Sequence, residues 1–532
     1  MTDLDSKRKT DGGSLPGGTE SYLGEELPAV PPEMTSGLLA KYAFLNFLGL
    51  AVPALTGLIT LPFVVRWLGT ERFGVFSWLM VVMNYFALFE FGLSRATVKY
   101  VADALGREEF GRIPRVVWSA VAFQAVSGLV GSAILVLATP FILSRFLKMP
   151  AALMPEARAA LTWVAVVLPV NTILPSFRGA LEAAHRFGLV NAVKIPTNAL
   201  VFIAPFLGAL FRLDLEGMVI LFVVSRALSL VVWILAAGHV FPGLAKVGFL
   251  ARPDRRRVFI FGGWNMLSAV VWPVLASLDR FFIGAQVGAK AVGFYAPPSE
   301  GINKLGIIPG SLQLALFPAF SLLSANVSRA KAKSLFAKSV KYTLLVIGPL
   351  VVVIAVFAKW ILNLWLGEEF ARTSASVLQI LAVSYLLQSL TYVPFSYLQG
   401  LGRADVTSLI QLSVLVGVLP VFFVSIKFWG IIGAAAAVGI RSGLELGLLL
   451  RSAWRQGGLD APALAGEKII RLAFALAVLG SWSFLWRRLT DGLPGLLAVT
   501  VALSMFAVFS WARVLDEEER GRLRRLFRRS RE

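Results

Sequence analysis

The chain has 532 residues, of which 57% are hydrophobic and only 15% are charged, against roughly 25% charged residues in soluble domains. This composition excludes a soluble globular protein. The 51 Lys and Arg residues outnumber the 31 Asp and Glu residues, giving a net charge of +20. A nucleic-acid-binding surface or the cytoplasmic loops of a membrane protein would explain such a surplus. The chain has no cysteine, which excludes disulfides and thiolate sites, and two histidines are too few for a His-rich metal site.

Residues 1–42 precede the first long apolar segment. They are polar, rich in Gly and Pro, and acidic, with seven carboxylates against four Lys and Arg residues. A segment of this composition cannot bury enough apolar surface to fold. We therefore predict a disordered tail, and it has none of the features of a signal peptide.

Fourteen apolar segments follow this tail, each long enough as a helix to cross a bilayer core of about 30 Å. They cover residues 43–65, 73–91, 116–140, 160–181, 190–210, 217–237, 258–278, 291–317, 341–362, 375–398, 406–426, 430–450, 467–486 and 493–513. The eighth contains three prolines and is the weakest candidate. The pattern predicts an all-α polytopic membrane protein with about fourteen transmembrane helices.

The connections between these spans divide the basic residues unequally. When the connections are assigned alternately to two sides of the membrane, side one, which includes both termini, holds 35 of the 51 Lys and Arg residues and side two holds 13. Cytoplasmic loops carry the excess of Lys and Arg, so side one is predicted to be cytoplasmic. The basic C-terminal tail, 514–532, contributes to this topology signal, and nucleic acid is not an expected partner.

The sequence contains an internal duplication. Gly69 and Gly74 match Gly288 and Gly293 at an offset of 219, and Pro175 matches Pro394 at the same offset. Shorter matches follow in order at nearly the same offset: residues 181–186 with 398–403, Gly217 with Gly433, and Arg226 with Arg441. Because one unit holds six spans, an even number, both copies cross the membrane in the same orientation. We predict a six-helix N-lobe (43–237), a parallel six-helix C-lobe (258–450), and two further helices (467–513).

Three basic residues, Arg226, Lys304 and Arg441, lie deep inside predicted spans, far from both ends. Arg226 and Arg441 lie near the midplane, where a charged residue costs about 2.5–3.5 kcal/mol and is expected to face protein or water. Arg441 has Glu445 one turn away, and Lys304 has Glu300 in the same relation, so mutual neutralisation is an alternative explanation for both pairs. Arg226 has no carboxylate nearby in the sequence, which makes it the stronger candidate for substrate contact.

Further charges lie at predicted span ends, where snorkelling to the interface is the simplest explanation. They are Glu90, Arg178, Asp279 and Arg280. Segments 92–115 and 320–340 combine apolar residues at helical spacing with basic ones, and we predict that both are amphipathic helices on the cytoplasmic surface.

The sequence favours a carrier over an enzyme. Residues 106–111 have the Gly-x4-Gly spacing of a phosphate-binding loop, but Arg112 follows instead of Lys and no strand precedes it. We found no His-based metal signature and no soluble segment large enough for a catalytic core. No cofactor is therefore predicted.

Three segments carry a family resemblance: 61–74 (LPFVVRWLGTERFG), 91–106 (FGLSRATVKYVADALG) and 278–284 (LDRFFIG). Together with the fourteen spans and the duplication, they resemble the polysaccharide transporters of the multidrug/oligosaccharidyl-lipid/polysaccharide exporter superfamily, and among these the Wzx-type O-antigen flippases. The similarity covers about residues 40–450.

This resemblance implies a flippase for an oligosaccharide linked to undecaprenyl pyrophosphate, serving O-antigen, lipopolysaccharide or exopolysaccharide biosynthesis in the bacterial inner membrane. It implies coupling to a proton or sodium gradient, and partnership with a polymerase and glycosyltransferases. Arg66, Arg95, Arg280 and Lys304 match functional cations of the family, and they join Arg178, Arg226 and Arg441 as candidate cavity cations. Glu90, Asp279, Glu300 and Glu445 are candidate coupling carboxylates.

Three other functions remain open at this point. A lipid II flippase of the MurJ type shares the fourteen-span plan, although more cations in the first span would be expected. A cation-coupled multidrug exporter usually has twelve spans and an acidic, aromatic cavity. A scaffold that recruits glycosyltransferases through its cytoplasmic arginines belongs to a different class.

Overall fold

The computed structural model describes residues 36–86, 93–145, 147–251, 275, 277–325, 329–459, 467–489, 493–517 and 519–521. These residues are helical and contain no strand, which confirms the predicted all-α class. Ten of the helices are long and apolar enough to cross a membrane. The chain is therefore a multi-pass membrane protein, and the total of fourteen spans stays a prediction.

Six helices form the N-lobe. They are α1 (Ser36–Phe86), α2 (Leu93–Gly106), α3 (Arg112–Arg145), α4 (Met154–Ala183), α5 (Phe187–Leu210) and α6 (Leu215–Val240). The C-lobe begins with the helical residues 277–286, called α7 here. It continues with α8 (Ala289–Asn303), α9 (Ile307–Ala325), α10 (Arg329–Leu366), α11 (Glu368–Gly400) and α12 (Ala404–Gly457). The last two helices are α13 (Glu467–Leu489) and α14 (Leu493–Phe509).

Glycine makes two of these helices bend within their length. Gly69 in α1 has φ +71° and Gly430 in α12 has φ +54°, values that only glycine adopts at little cost. Each kink separates two predicted spans, so α1 contains the first and second, and α12 contains the eleventh and twelfth. The eighth predicted span is also interrupted, because a short 3₁₀ turn at Lys304–Gly306 separates α8 from α9.

The duplication is visible in the backbone. Gly69 and Gly288, which are equivalent positions in the two copies, both have a positive φ. His185 and Gly402 form a second such pair, and Arg212 and Gly430 form a third, each with the spacing of the duplication. Helices therefore end or bend in the left-handed conformation at equivalent places in both halves, as two copies of one chain plan would.

The two lobes cross most closely at a reciprocal pair of glycines. A Cβ on Gly74 would lie 1.8 Å from the carbonyl oxygen of Ala289, and a Cβ on Gly293 would lie 2.0 Å from that of Thr70. Thr70 and Ala289 are themselves equivalent positions of the duplication, so each copy contributes the same two positions to the crossing. This exchange is what a two-fold axis between the lobes requires. The crossing excludes any side chain larger than hydrogen at either glycine.

We call the region around the Gly74–Gly293 crossing the seam. The other contacts between the lobes in the seam lie on side two of the predicted topology. The backbone N–H of Lys148 donates to the carbonyl of Gly284 at 3.2 Å, and that of Ala289 donates to the carbonyl of Lys148 at 2.9 Å. Trp365 donates through Nε1 to the carbonyl of Leu58 at 2.9 Å. One hydrophobic core, which includes Trp78 and Tyr295, extends across both lobes. A second lies within the N-lobe, and a third joins the C-lobe to α13 and α14.

Two surface segments were predicted to be amphipathic helices. In the first, α2 is amphipathic, but its apolar residues, among them Leu93, Ala96 and Val101, are buried in a core with α3 and α4 rather than left open to a lipid surface. The second is divided between α9 and α10, and residues 326–328 lie outside the described part. Of the predicted disordered tail, residues 1–35 lie outside the described residues, as do Glu90 and most of the seventh span. The prediction is wrong for residues 36–42, which are helical because they continue α1 beyond its first apolar residue.

The segment that follows α14 is fixed to the C-lobe by an ion pair near side one. Lys341 is only 4% exposed, and its Nζ lies 2.7 Å from Oε1 of Glu519. Burial alone would raise the pKa of Glu519, but hydrogen bonds from Lys341 and Tyr342 lower it overall. This contact, together with the packing of α13 on α10, attaches the last two helices to the C-lobe.

Candidate functional site

The N-lobe brings three cations from three helices together. Arg226 on α6 is half-buried, and its Nε donates to Oδ1 of Asn171 on α4 at 2.7 Å. Arg178 on α4 is close enough to interact electrostatically with both Arg226 and Lys194 of α5. We call Arg178, Lys194 and Arg226 the N-lobe cation cluster. It joins two predicted site residues with Lys194, which lies near the start of the fifth predicted span (190–210) and was counted among the basic residues of the cytoplasmic connection before that span.

One carboxylate partly offsets this cluster. Nε of Arg178 lies 3.3 Å from Oε1 of Glu182, one turn along α4, and about a third of each side chain is exposed. Arg226 has a neutral amide as its hydrogen-bond partner. Among the described residues, the cluster therefore has three cations for one carboxylate, a surplus of two positive charges near the membrane interior.

Two prolines in α4 shape the helix around this cluster. Proline lacks an N–H, so Pro169 leaves the carbonyl of Ala165 without its helical donor, and the hydroxyl of Ser132 on α3 donates to that carbonyl instead. Near Pro175, Ser94 donates to the carbonyl of Pro175 at 3.2 Å. Hydroxyls from neighbouring helices thus bind carbonyls of α4 at Ala165 and Pro175, on either side of Asn171.

The C-lobe contains a chain of alternating charges. The hydroxyl of Tyr295 donates to Oδ2 of Asp279 at 2.8 Å. Nη2 of Arg280 lies 2.8 Å from Oε1 of Glu300, and Nζ of Lys304 lies 3.6 Å from Oε2 of the same carboxylate. Asp279 and Arg280 are 6% and 9% exposed. Two cations and two carboxylates compensate one another in this chain.

Arg441 and Glu445 form a second compensated group in the C-lobe. They are 4% and 3% exposed and lie one turn apart on α12. Nη1 of Arg441 donates to the carbonyl of Leu275 at 2.9 Å, which ties α12 to the start of α7. We call the six residues Asp279, Arg280, Glu300, Lys304, Arg441 and Glu445 the C-lobe charge network, and its net charge is zero.

Lys304 also lies at the boundary between the lobes. It occupies the 3₁₀ turn between α8 and α9, and its Nζ is 4.8 Å from the ring centroid of Phe202 on α5 of the N-lobe. A cation at this distance over an aromatic ring is attracted by the face of the ring. Interrupted helices often line substrate sites in transporters, and this interruption places a cation between the two lobes.

The remaining predicted cations lie apart from both groups. Arg66 is exposed three residues before the Gly69 kink, and Arg95 is exposed near the start of α2. Among the described residues, no hydrogen bond or ion pair joins either one to the N-lobe cation cluster or to the C-lobe charge network. The described residues also contain no group of His, Asp and Glu that could hold a metal ion.

Comparison with known proteins gives a consistent family and fold. A family model described as "Polysaccharide biosynthesis protein" matches residues 63–375. A protein of Shigella flexneri described as "Putative O-antigen transporter" is 28% identical over 413 residues, which is 77% of this chain and 96% of that protein.

Solved transporter structures share the fold. The lipid II flippase MurJ in an inward closed conformation superposes with a TM-score of 0.66 at 12% identity, covering 88% of this chain and 98% of that one. A multidrug resistance MATE family transporter of the MOP superfamily, in an inward-facing conformation, superposes with a TM-score of 0.63 at 13% identity, covering 83% and 96%.

Proposed function

The chain belongs to the polysaccharide biosynthesis protein family, and from this premise we propose that it is a flippase for lipid-linked oligosaccharides. The cargo is an oligosaccharide on undecaprenyl pyrophosphate, which moves from the cytoplasmic to the periplasmic leaflet of the bacterial inner membrane. The Shigella flexneri relative, described as an O-antigen transporter, supports a cell-surface polysaccharide as the product.

The observation that carries this proposal is the N-lobe cation cluster. The described part of the chain gives this cluster three cations and one carboxylate close to the membrane interior, which is costly unless an anion offsets the surplus. A pyrophosphate would supply the missing negative charge, and guanidinium groups match its oxygens in bidentate geometry. The sugar portion would then occupy the space between the lobes, and the polyprenyl chain would remain in lipid.

Alternating access follows from the seam and the predicted topology. The seam holds the lobes together on side two. Side one is cytoplasmic by its surplus of Lys and Arg, with both termini on that side. The arrangement therefore suits loading from the cytoplasm. Opening the Gly74–Gly293 crossing, while the opposite ends of the lobes close, would release the cargo to the periplasm.

An ion gradient would drive this cycle through the C-lobe charge network. Asp279 and Glu300 each contact a neighbour that could hold or release them as their charge changes, namely Tyr295 and Arg280. Protonation of one carboxylate, or a sodium ion beside it, would change the net charge of the network from zero to +1. It would thereby weaken the contacts that join α7 to α8. Glu445 next to Arg441 is a further coupling candidate, as is Glu90. A polymerase and glycosyltransferases would act before and after transport.

The test compares Arg226→Ala and Lys194→Ala with a matched control, Arg451→Ala, which removes an exposed arginine at the end of α12. In a deletion strain complemented at equal protein level, we expect polymer yield to fall roughly tenfold to a hundredfold for Arg226→Ala, the loss of a charged hydrogen bond. The control should match wild type. Mass spectrometry of the undecaprenyl-linked intermediates should show the oligosaccharide accumulating on the cytoplasmic face.

Two results would contradict the proposal. Wild-type polymer yield in both N-lobe variants would remove the cluster from the transport path. Accumulation of lipid II instead of an oligosaccharide intermediate in the deletion strain would assign a different cargo. Transport in vesicles that is indifferent to both pH and sodium gradients would leave the flippase proposal intact but end the coupling role of the carboxylates.

A further inference from the structure

A charged cavity of about 810 Å³ lies at the side-one end of the N-lobe, at residues distinct from the N-lobe cation cluster. The end of α2, the first turn of α3 and the segment after α6 form its walls. Four cations and two carboxylates contribute to its lining: Lys99, Arg107, Arg112, Arg115, Asp103 and Glu109. Tyr100, Leu250 and Ala251 complete it.

Local structure places these charges on facing walls. Lys99 and Asp103 are four residues apart on α2 and therefore share one helix face, as do Arg112 and Arg115 on α3. The turn that reverses the chain between the two helices includes Glu108, which has φ +60°. Because this turn is tight, α2 and α3 lie side by side, and their charged residues line the same cavity.

Two hydrogen bonds fix the third wall. Nε1 of Trp118 donates to the carbonyl of Leu244 at 2.9 Å, and the backbone N–H of Leu250 donates to Oγ of Ser119 at 2.9 Å. Both bonds join α3 to the segment 241–251, so this segment is tied along the helix that carries Arg112 and Arg115. The cavity is thus a constructed feature of the lobe rather than a gap between loose loops.

The lining has a surplus of positive charge. Asp103 accepts from Nε of Arg107 at 3.0 Å, and Glu109 accepts from Nη1 of Arg112 at 2.8 Å. Counted together, the four cations and two carboxylates of the lining carry a net charge of +2. Arg115 is exposed and uses its Nε to donate to the carbonyl of Gly111 at 3.1 Å.

We propose that this cavity binds the phosphate of an anionic phospholipid headgroup from the side-one leaflet. Guanidinium and ammonium groups around one cavity are the donors that phosphate oxygens require. Basic pockets on the cytoplasmic side of membrane proteins recognise anionic headgroups in this way. Phosphate on a soluble molecule shares the chemistry, and the experiment below separates the two sources. The binding does not depend on the proposed transport function.

The test measures lipid binding to the purified full-length protein by native mass spectrometry. The probes are dioctanoyl-phosphatidylglycerol and, as the zwitterionic comparison, dioctanoyl-phosphatidylcholine. We expect selective binding of the anionic lipid. Its affinity should fall roughly thirtyfold in Lys99→Gln/Arg115→Gln, because each of the two cations contributes about equally to binding the anionic headgroup. The matched control, Lys331→Gln/Arg451→Gln, removes two exposed side-one cations of the C-lobe and should bind as wild type does.

Competition identifies the source of the phosphate. If inorganic phosphate or pyrophosphate at millimolar concentration leaves lipid binding unchanged, the lipid headgroup is the ligand. Displacement of the lipid by these ions would keep the phosphate site but assign it to soluble ligands. Equal binding of both lipids, or equal loss in the two double variants, would overturn the proposal. Unchanged thermal unfolding of Lys99→Gln/Arg115→Gln checks that the variant is folded, and Arg115→Lys, which keeps the charge, should retain most of the binding.

Discussion

Arg226 in the N-lobe and Arg441 in the C-lobe occupy equivalent places in the repeat, yet their neighbours differ in charge. At the position of Glu445, one turn from Arg441, the N-lobe has Leu230. At the position of Lys194, the C-lobe has the neutral Gln411, close to Glu445. Arg178 corresponds to Phe395 in the same alignment of the two copies. The two copies of the repeat therefore share a backbone plan but differ in charge. In the C-lobe the guanidinium of Arg441 has a carboxylate one turn away, whereas in the N-lobe cation cluster the positive charges outnumber the described carboxylate.

This difference separates what the fold requires from what function requires. The two lobes keep the features that backbone geometry demands, namely the crossing glycines and the matched left-handed positions. Side-chain charge is not under that constraint, and it has diverged. A compensated network suits a structural or switching role, whereas a surplus of cations calls for an anionic ligand.

The largest expected effect comes from making the C-lobe resemble the N-lobe. Glu445→Leu leaves Arg441, 4% exposed, without its carboxylate, and an uncompensated buried charge costs about 3–5 kcal/mol. Thermal unfolding of the purified protein should show a clear loss of stability. The matched control is Glu368→Gln, which breaks an exposed pair with Arg372 and should cost less than about 1 kcal/mol.

A double variant checks the cause of that loss. Replacing both partners, Arg441→Leu with Glu445→Leu, removes the unpaired charge and should recover most of the stability. If Glu445→Leu unfolds at the wild-type temperature, then Glu445 does not compensate Arg441, and the contrast between the lobes is not one of charge balance.

The reverse change gives a smaller effect, on transport instead of stability. Leu230→Glu places a carboxylate one turn from Arg226, as in the C-lobe, and should compete with an anionic substrate for the N-lobe cation cluster. We expect polymer yield to fall about tenfold, equivalent to roughly 1.4 kcal/mol, with normal membrane insertion. Leu230→Gln, of the same size but neutral, is the control. Full transport by Leu230→Glu would show that the charge surplus is not used.

The sequence predicted the fold better than the site. Apolar runs and the spacing of Gly69, Gly74, Gly288 and Gly293 depend on local and repeated features, so the all-helical class, the duplication and the family resemblance could be read directly. The family resemblance is confirmed by the family match, and the chain is a membrane transporter. The predicted lobe boundaries and the fourteen spans stay predictions.

Contacts between helices distant in sequence could not be read in this way. The pairing of Arg280 with Glu300 depends on how α7 packs on α8. Lys194 was assigned to a connection because charge alone does not show that α5 begins at Phe187. The one available signal was that Lys194 stands in an otherwise apolar run. Arg226 has no carboxylate nearby in the sequence, and in the structure its hydrogen-bond partner is the neutral side chain of Asn171. The role of Arg226 in transport stays a proposal.

The last expected effect is on stability, is similar in size to the preceding one, and concerns the backbone that the lobes share. Gly402 has φ +77°, and its counterpart His185 has φ +55°, so the turn tolerates a side chain in one copy at the cost of left-handed strain. Gly402→Ala should therefore destabilise the protein by about 1–2 kcal/mol. The matched control, Gly417→Ala, adds a methyl group at an open, exposed position within α12, where alanine is favoured over glycine by up to about 1 kcal/mol. We expect Gly402→Ala to lower the thermal unfolding temperature and Gly417→Ala to leave it unchanged or raise it. This result would confirm that the left-handed turn, and not the loss of a glycine as such, is the feature retained in both lobes. Equal changes would leave the matched φ values without an energetic basis.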